Sequence, residues 1–168
     1  MIVPTRFGPY CPEGDFYIDP TSPVNRAVIT HGHYDHARRG HENILCSEKS
    51  KQILQLRLKP KSIQACRFGE TIKISGVRLT LYPASHILGA SQIKVESKKS
   101  GIWLYTGDFR VVSDLSCDDF ESVRADHLIS ECTFGLPVFN WPSQHEVFKE
   151  FSSWWLRNFL DGINSILY

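Results

Sequence analysis

Residues 30–41 read THGHYDHARRGH, four histidines and one aspartate in a dozen positions, directly after the apolar run AVI. A hydrophobic core has no use for so many imidazoles side by side. The fold must therefore carry a buried strand to an edge where a loop can hold them. His31, His33, Asp35 and His36 are spaced H-x-H-x-D-H. On a tight loop after a strand, alternate residues point the same way, so His31 and His33 converge on one point while Asp35 and His36 turn to a second. Neutral imidazole nitrogens with a carboxylate are the donor set that zinc prefers. Two such points close together imply a dinuclear site, which needs a bridging carboxylate and a further histidine. His86, in PASHILGA, and Asp108, in LYTGDFR, each follow a strand pattern. Either one alone reads as an ordinary surface histidine or turn. Beside the H-x-H-x-D-H string they become its expected partners.

The rest of the chain permits one domain with a real core. It has 168 residues, 42% of them apolar and 22% charged, the balance of a globular protein. Its 19 basic and 18 acidic residues leave a net charge of +1. Any attraction to a polyanion must then be local. No apolar run reaches the roughly 20 residues of a membrane span, and MIVPTRFGPY lacks the pattern of a secretory signal. Cys11, Cys46, Cys66, Cys117 and Cys132 form no C-x-x-C pair and no disulfide framework, which predicts a reducing, cytoplasmic setting.

Element signals alternate along the chain. Residues 8–25 are rich in Gly and Pro and read as turns around a short strand, FYID (16–19). RAVIT (26–30) is a β-branched run of the kind buried on both faces of a sheet. SEKSKQILQLRLK (47–59) reads as a helix capped by Ser47 and stopped by Pro60. SIQACRF, ETIKIS, VRLTLYPA, SQIKVES (91–97), GIWLYTGD (101–108) and ADHLISE (125–131) read as strands. Residues 143–160 predict the strongest helix, with Ser143 and Glu146 as a capping box. Its stripe of Val147, Phe148, Phe151, Trp155 and Phe159 is expected to pack on a core. The sum is a strand-rich α/β sandwich.

HGHYDH, a lone histidine before a glycine, and a strand ending in Gly-Asp resemble the metallo-β-lactamase superfamily. The wider phrases YCPEGDFYIDP, RAVITHGHYDHARRGH, YPASHILGASQI, YTGDFR and ISECTFGLPVF resemble its ligase-associated exonucleases, relatives of the mRNA 3′-end-processing and other β-CASP nucleases. That resemblance covers residues 8–142. It implies an αββα sandwich, of which residues 1–142 would be the N-terminal, metal-binding portion and 143–168 a helix leading into a β-CASP part. It also implies that His31, His33 and His86 hold a first zinc, that Asp35 and His36 hold a second, and that Asp108 bridges them. Asp35 and Asp108 would then be catalytic, as would Glu131 of SECTFG, which orients a histidine or the attacking water unless it merely closes a turn.

One departure from the family stands out. Its second zinc takes another histidine from beyond the β-CASP insertion, and the sequence ends before such a residue. His127, inside a strand pattern, and His145, in the first turn of a helix, are poor substitutes. The expectation is an N-terminal portion of a longer enzyme, truncated and lacking its last zinc histidine, whose uncovered sheet edge and Trp154/Trp155 helix favour self-association. The implied activity is that of an exonuclease in DNA repair or RNA processing, acting on DNA or RNA ends. Arg38, Arg39 and Arg110 would meet substrate, or else carry ordinary surface charge, and His41 would stabilise the metal loop or meet substrate, or else is a solvated loop residue. Two other readings stay open: a hydrolase of a small ester, thioester or lactam, and a zinc-binding remnant without catalysis.

Overall fold

The computed structural model describes residues 1–167. The chain divides into two compact units, Met1–Glu131 and a second beginning at Cys132. The boundary expected at 142 thus lies inside the second unit.

In the first unit, β1 (Val3–Thr5), β2 (Gly8–Cys11) and β3 (Phe16–Ile18) pair antiparallel. β3 then pairs parallel with β4 (Arg26–Val28), β4 with β5 (Asn43–Ser47), and β5 with β6 (Ser62–Cys66). The link from β5 to β6 is α1 (Glu48–Leu58), as a parallel pair requires a crossover. Ser47 caps α1 by accepting from the Ser50 amide, and Lys59 ends it in a left-handed conformation just before Pro60. The second sheet runs β11–β10–β9–β8–β7, built from β7 (Thr71–Ile74), β8 (Val77–Pro83), β9 (Ser91–Ser97), β10 (Gly101–Tyr105) and β11 (His127–Ile129).

Side-chain alternation explains the layering. Along β4 and β5, Val28 and Leu45 face the second sheet, joining Phe16 and Ile18 against Leu79, Leu81, Ile93 and Val95. Ala27, Ile44 and Cys46 point the other way, onto Leu54 and Leu58 of α1. That double burial is why AVI (27–29) is apolar without interruption. The outward side of β8 and β9 carries Arg78, Lys94 and Glu96, with Lys94 and Arg78 3.3 and 3.9 Å from the Glu96 carboxylate. A helix, two sheets and a charged outer face follow in order, the metallo-β-lactamase arrangement of layers as far as the first unit carries it.

Three strands differ from expectation. β2 lies where Gly and Pro predict turns, and β1 and β5 fall where the sequence carries no strand expectation. The second unit holds α2 (Gln144–Leu160), whose Ser143–Glu146 capping box forms as expected. Its apolar stripe does not enter a core: no residue of α2 is buried. Among the described residues, no helix is long and apolar enough to cross a membrane.

Candidate metal centre

Four chain segments meet at one end of the two sheets, each leaving the end of a strand. Asp19 follows β3, His31 follows β4, His86 follows β8 and Asp108 follows β10. Thr30 is the seam between the sheets. Its carbonyl accepts from the Ser91 amide at 3.0 Å and the Ser91 hydroxyl at 2.8 Å. Gly107 adopts φ +59° against Thr30, whose Cβ would lie 3.0 Å from an added methyl. Glycine there lets the Asp108 loop close onto the histidine loop.

The side chains converge as their spacing suggested. His33 Nδ1 lies 3.1 Å from His31 Nε2 and 3.0 Å from His86 Nε2. Asp108 Oδ2 lies 3.7 Å from His31 Nε2 and 3.6 Å from His86 Nε2. These four donor atoms all fall within 4.8 Å of one another. Ligands about 2.0–2.1 Å from a tetrahedral zinc would sit roughly 3.3 Å apart, so most of the spacings already suit one ion. The other carboxylate oxygen, Asp108 Oδ1, faces His36 Nε2 at 3.3 Å, and Asp35 Oδ2 approaches the same nitrogen at 3.6 Å. One carboxylate therefore addresses both clusters, one oxygen to each.

Hydrogen bonding decides which nitrogens offer lone pairs. Asp19, buried behind the loop, accepts from the Thr30 amide at 2.8 Å, from the Thr30 hydroxyl at 2.6 Å and from His36 Nδ1 at 2.9 Å. The Thr30 hydroxyl spends its single proton on Asp19. It must then accept from His31 Nδ1 at 3.0 Å, which leaves His31 Nε2 bare and aimed into the cluster. His36 likewise donates through Nδ1 and turns Nε2 towards two carboxylates. Bare nitrogens and carboxylate oxygens crowded together repel unless a cation lies among them, so the donor set fits a divalent metal.

The titration behaviour has the same causes. Burial, then the neighbouring imidazoles of His36, His86 and His33, push His31 down to about 2. Burial also lowers His86, although Asp108 and, more weakly, Glu131 oppose it. For His36 burial works against the charged form, but the Asp19 hydrogen bond and the charges of Asp19, Asp108 and Asp35 outweigh it and raise its pKa. Burial lifts the Asp19 carboxyl, against the His36 and Thr30 hydrogen bonds that favour its charged form.

The remaining candidates are placed less centrally. Glu131 follows β11 within electrostatic reach of His86. Arg110 pairs with Asp114. Arg38 and Arg39 follow the histidine loop and join no ion pair among the described residues. His41 is buried at 3% exposure, and neither ring nitrogen has a hydrogen-bond partner among the described residues. His127 stacks on Trp103 at 4.3 Å between ring centres, and His145 lies in α2 of the second unit. Asp19 and Thr30 were not singled out from sequence. Their one signal is an aspartate directly after a strand, in FYIDP.

No family model matches the chain. A probable DNA ligase from Opitutus terrae is 31% identical over 163 residues, covering 96% of this chain and 16% of its own length. DNA cross-link repair protein SNM1 of Arabidopsis thaliana is 28% identical over 127 residues, 71% of this chain and 26% of its own. RNase aCSPSF2 of Saccharolobus solfataricus is 32% identical over 101 residues, 58% and 20% respectively. Among solved structures, a Cronobacter sakazakii metallo-β-lactamase overlays 53% of this chain and 44% of its own at 16% identity, with a TM-score of 0.40. A two-sheet α/β scaffold that gathers imidazoles and carboxylates at its strand ends is the build of a metallo-β-lactamase-type protein. The chain belongs to that superfamily and lies with its β-CASP group. It spans between 16% and 26% of the length of these three relatives.

Proposed function

We propose that this chain is the metal-binding part of a nuclease that hydrolyses phosphodiester bonds at DNA or RNA ends. The observation that carries this is the Asp108 carboxylate, with one oxygen among His31, His33 and His86 and the other beside His36 and Asp35. In this reading His31, His33 and His86 would hold one zinc, Asp35 and His36 would hold a second, and Asp108 would serve both. Bound zinc would supply a hydroxide near neutral pH and neutralise charge on the attacked phosphate. Asp19 and Thr30 keep His31 and His36 in the tautomers that expose Nε2. Asp35, with its side chain 72% exposed, is open to solvent and orients the nucleophile. Glu131 acts from beside His86.

The relatives' names support nucleic acid as substrate, since they include a DNA cross-link repair protein and a ribonuclease. Five free cysteines suit a reducing compartment such as the cytoplasm.

The test is zinc content per chain, read together with cleavage of end-labelled DNA and RNA oligonucleotides. The chain alone, the chain with a relative-length C-terminal portion supplied, and Asp108→Asn are compared. Two zinc equivalents and chelator-sensitive cleavage are expected, both reduced in Asp108→Asn. One equivalent with no cleavage under any condition would indicate a zinc-binding remnant. Turnover of a thioester or lactam without oligonucleotide cleavage would indicate a small-molecule hydrolase.

A further inference from the structure

A cleft of about 520 Å³ lies beside the histidine loop, lined in part by Tyr34, Arg38, Arg39 and Arg57. No acidic side chain lines it, and none of its three arginines enters an ion pair among the described residues. Guanidinium groups gathered without a carboxylate repel one another, and an anion relieves that repulsion. Two of them are already held in place. Arg57, from the last turn of α1, donates to the carbonyl of Gly32, and Arg39 Nε donates to the Arg57 carbonyl at 2.8 Å. Each keeps further N–H donors free. Arg38 lies over the Tyr34 ring, 5.4 Å from its centre, and its Nε is shielded from solvent without a partner.

Tyr34 gives the anion its identity. It sits between His33 and Asp35 in the chain and is 71% exposed, a large aromatic face presented to water. Buried aromatics pack cores; exposed ones beside clustered arginines are stacking platforms for nucleobases. We infer that this cleft is a track for single-stranded nucleic acid, with Arg38, Arg39 and Arg57 on successive phosphates and a base stacked on Tyr34. The identity of the ligand rests on the nuclease reading above, whereas the cationic cleft does not. Arg57 also couples the track to the metal loop, because the carbonyl it holds lies between His31 and His33.

The experiment is fluorescence anisotropy of a labelled oligothymidylate with the chelator-treated chain over a salt series, which needs neither metal nor turnover. Tyr34→Ala should weaken binding by roughly 5- to 100-fold. Arg38→Gln and Arg39→Gln should each reduce the slope of log affinity against log salt by about 0.7. Arg38→Lys should retain that slope, and Lys98→Gln, far along the chain on the β9–β10 turn, should leave affinity unchanged. Unchanged affinity and slope in Tyr34→Ala and Arg38→Gln, with melting curves like the parent's, would overturn the inference. So would equal weakening by Lys98→Gln, which would indicate diffuse attraction. Binding through the cleft by a chain that never cleaves would remove the nuclease reading and leave the track standing.

Discussion

His41 shows how much one side chain can decide. It is buried with neither ring nitrogen partnered among the described residues, and burial lowers its pKa below the ordinary imidazole value. The sign follows from linkage. Between the depressed folded pKa and the unfolded value near 6.5, the unfolded chain binds a proton that the folded chain refuses. Stability therefore falls as pH drops through that window, by up to about 1.4 kcal/mol per pH unit for one group. His31 and His86 shift the same way, so the parent keeps some acid sensitivity whatever His41 does. Urea unfolding of the chelator-treated chain at about pH 7.5 and about pH 5.5 should show His41→Leu losing less stability than the parent as pH falls. Equal losses would show that His41 finds a partner in solution. At this scale the ligand candidates were legible because each is a polar residue placed where apolar patterning stops. Asp19 was not, because its work is done through Thr30 and His36, and a single aspartate before a proline resembles any turn. His41 was misjudged for the converse reason: loop sequence around it disguised a buried position.

At the scale of elements, the loop carrying His86 is clamped to the start of α1. Ser47, the helix cap, donates its hydroxyl to the Gly89 carbonyl at 2.6 Å. Gly89 itself adopts φ +78°, and an added Cβ would lie 2.5 Å from the Ser50 amide nitrogen and 2.9 Å from the Lys49 carbonyl carbon. Gly69, with φ +77°, has nothing within 4 Å and serves as an internal control. Alanine at either position meets the left-handed penalty of about 1–2 kcal/mol. Only Gly89→Ala must also push α1 and the His86 loop apart. Gly89→Ala should therefore lose more stability than Gly69→Ala in urea unfolding and release bound metal at a lower chelator concentration. Matching behaviour of the two variants would mean that the clamp does not position His86. Helices and long strands were readable because caps, prolines and alternation are local. β5 was not, since NILCS is short and its inward and outward faces are both apolar, erasing the period. β1 and β2 were hidden by proline and glycine: Pro4 lies on the edge strand β1, where proline is tolerated, and Gly8 and Pro9 open β2. No local signal marked the seam at Thr30, which joins residues 61 positions apart.

The whole molecule leaves α2 as its least satisfied element. Val147, Phe148, Trp155 and Phe159 are all exposed, Phe159 by 74%. Their spacing, with Phe151, places them along one side of the helix. Elsewhere in the second unit, Phe134, Phe139 and Trp141 gather as edge-on and stacked rings, yet all three remain exposed as well. Contiguous apolar surface of this kind is uncommon on a monomer and marks a contact with another protein surface. The sheet edges compete poorly for that role, because the four edge strands β1, β6, β7 and β11 run for only three, five, four and three residues. A symmetric contact needs only one sticky face, so a second copy is the simplest cover in a pure solution. Light scattering over a dilution series should give a mass above the monomer's at high concentration and approach the monomer's on dilution. Replacing Phe148 and Trp155 together by Lys keeps helix propensity while placing charge on the stripe, and should hold the chain monomeric throughout. A parent chain that stays monodisperse and monomeric at every concentration would leave the stripe to some other partner.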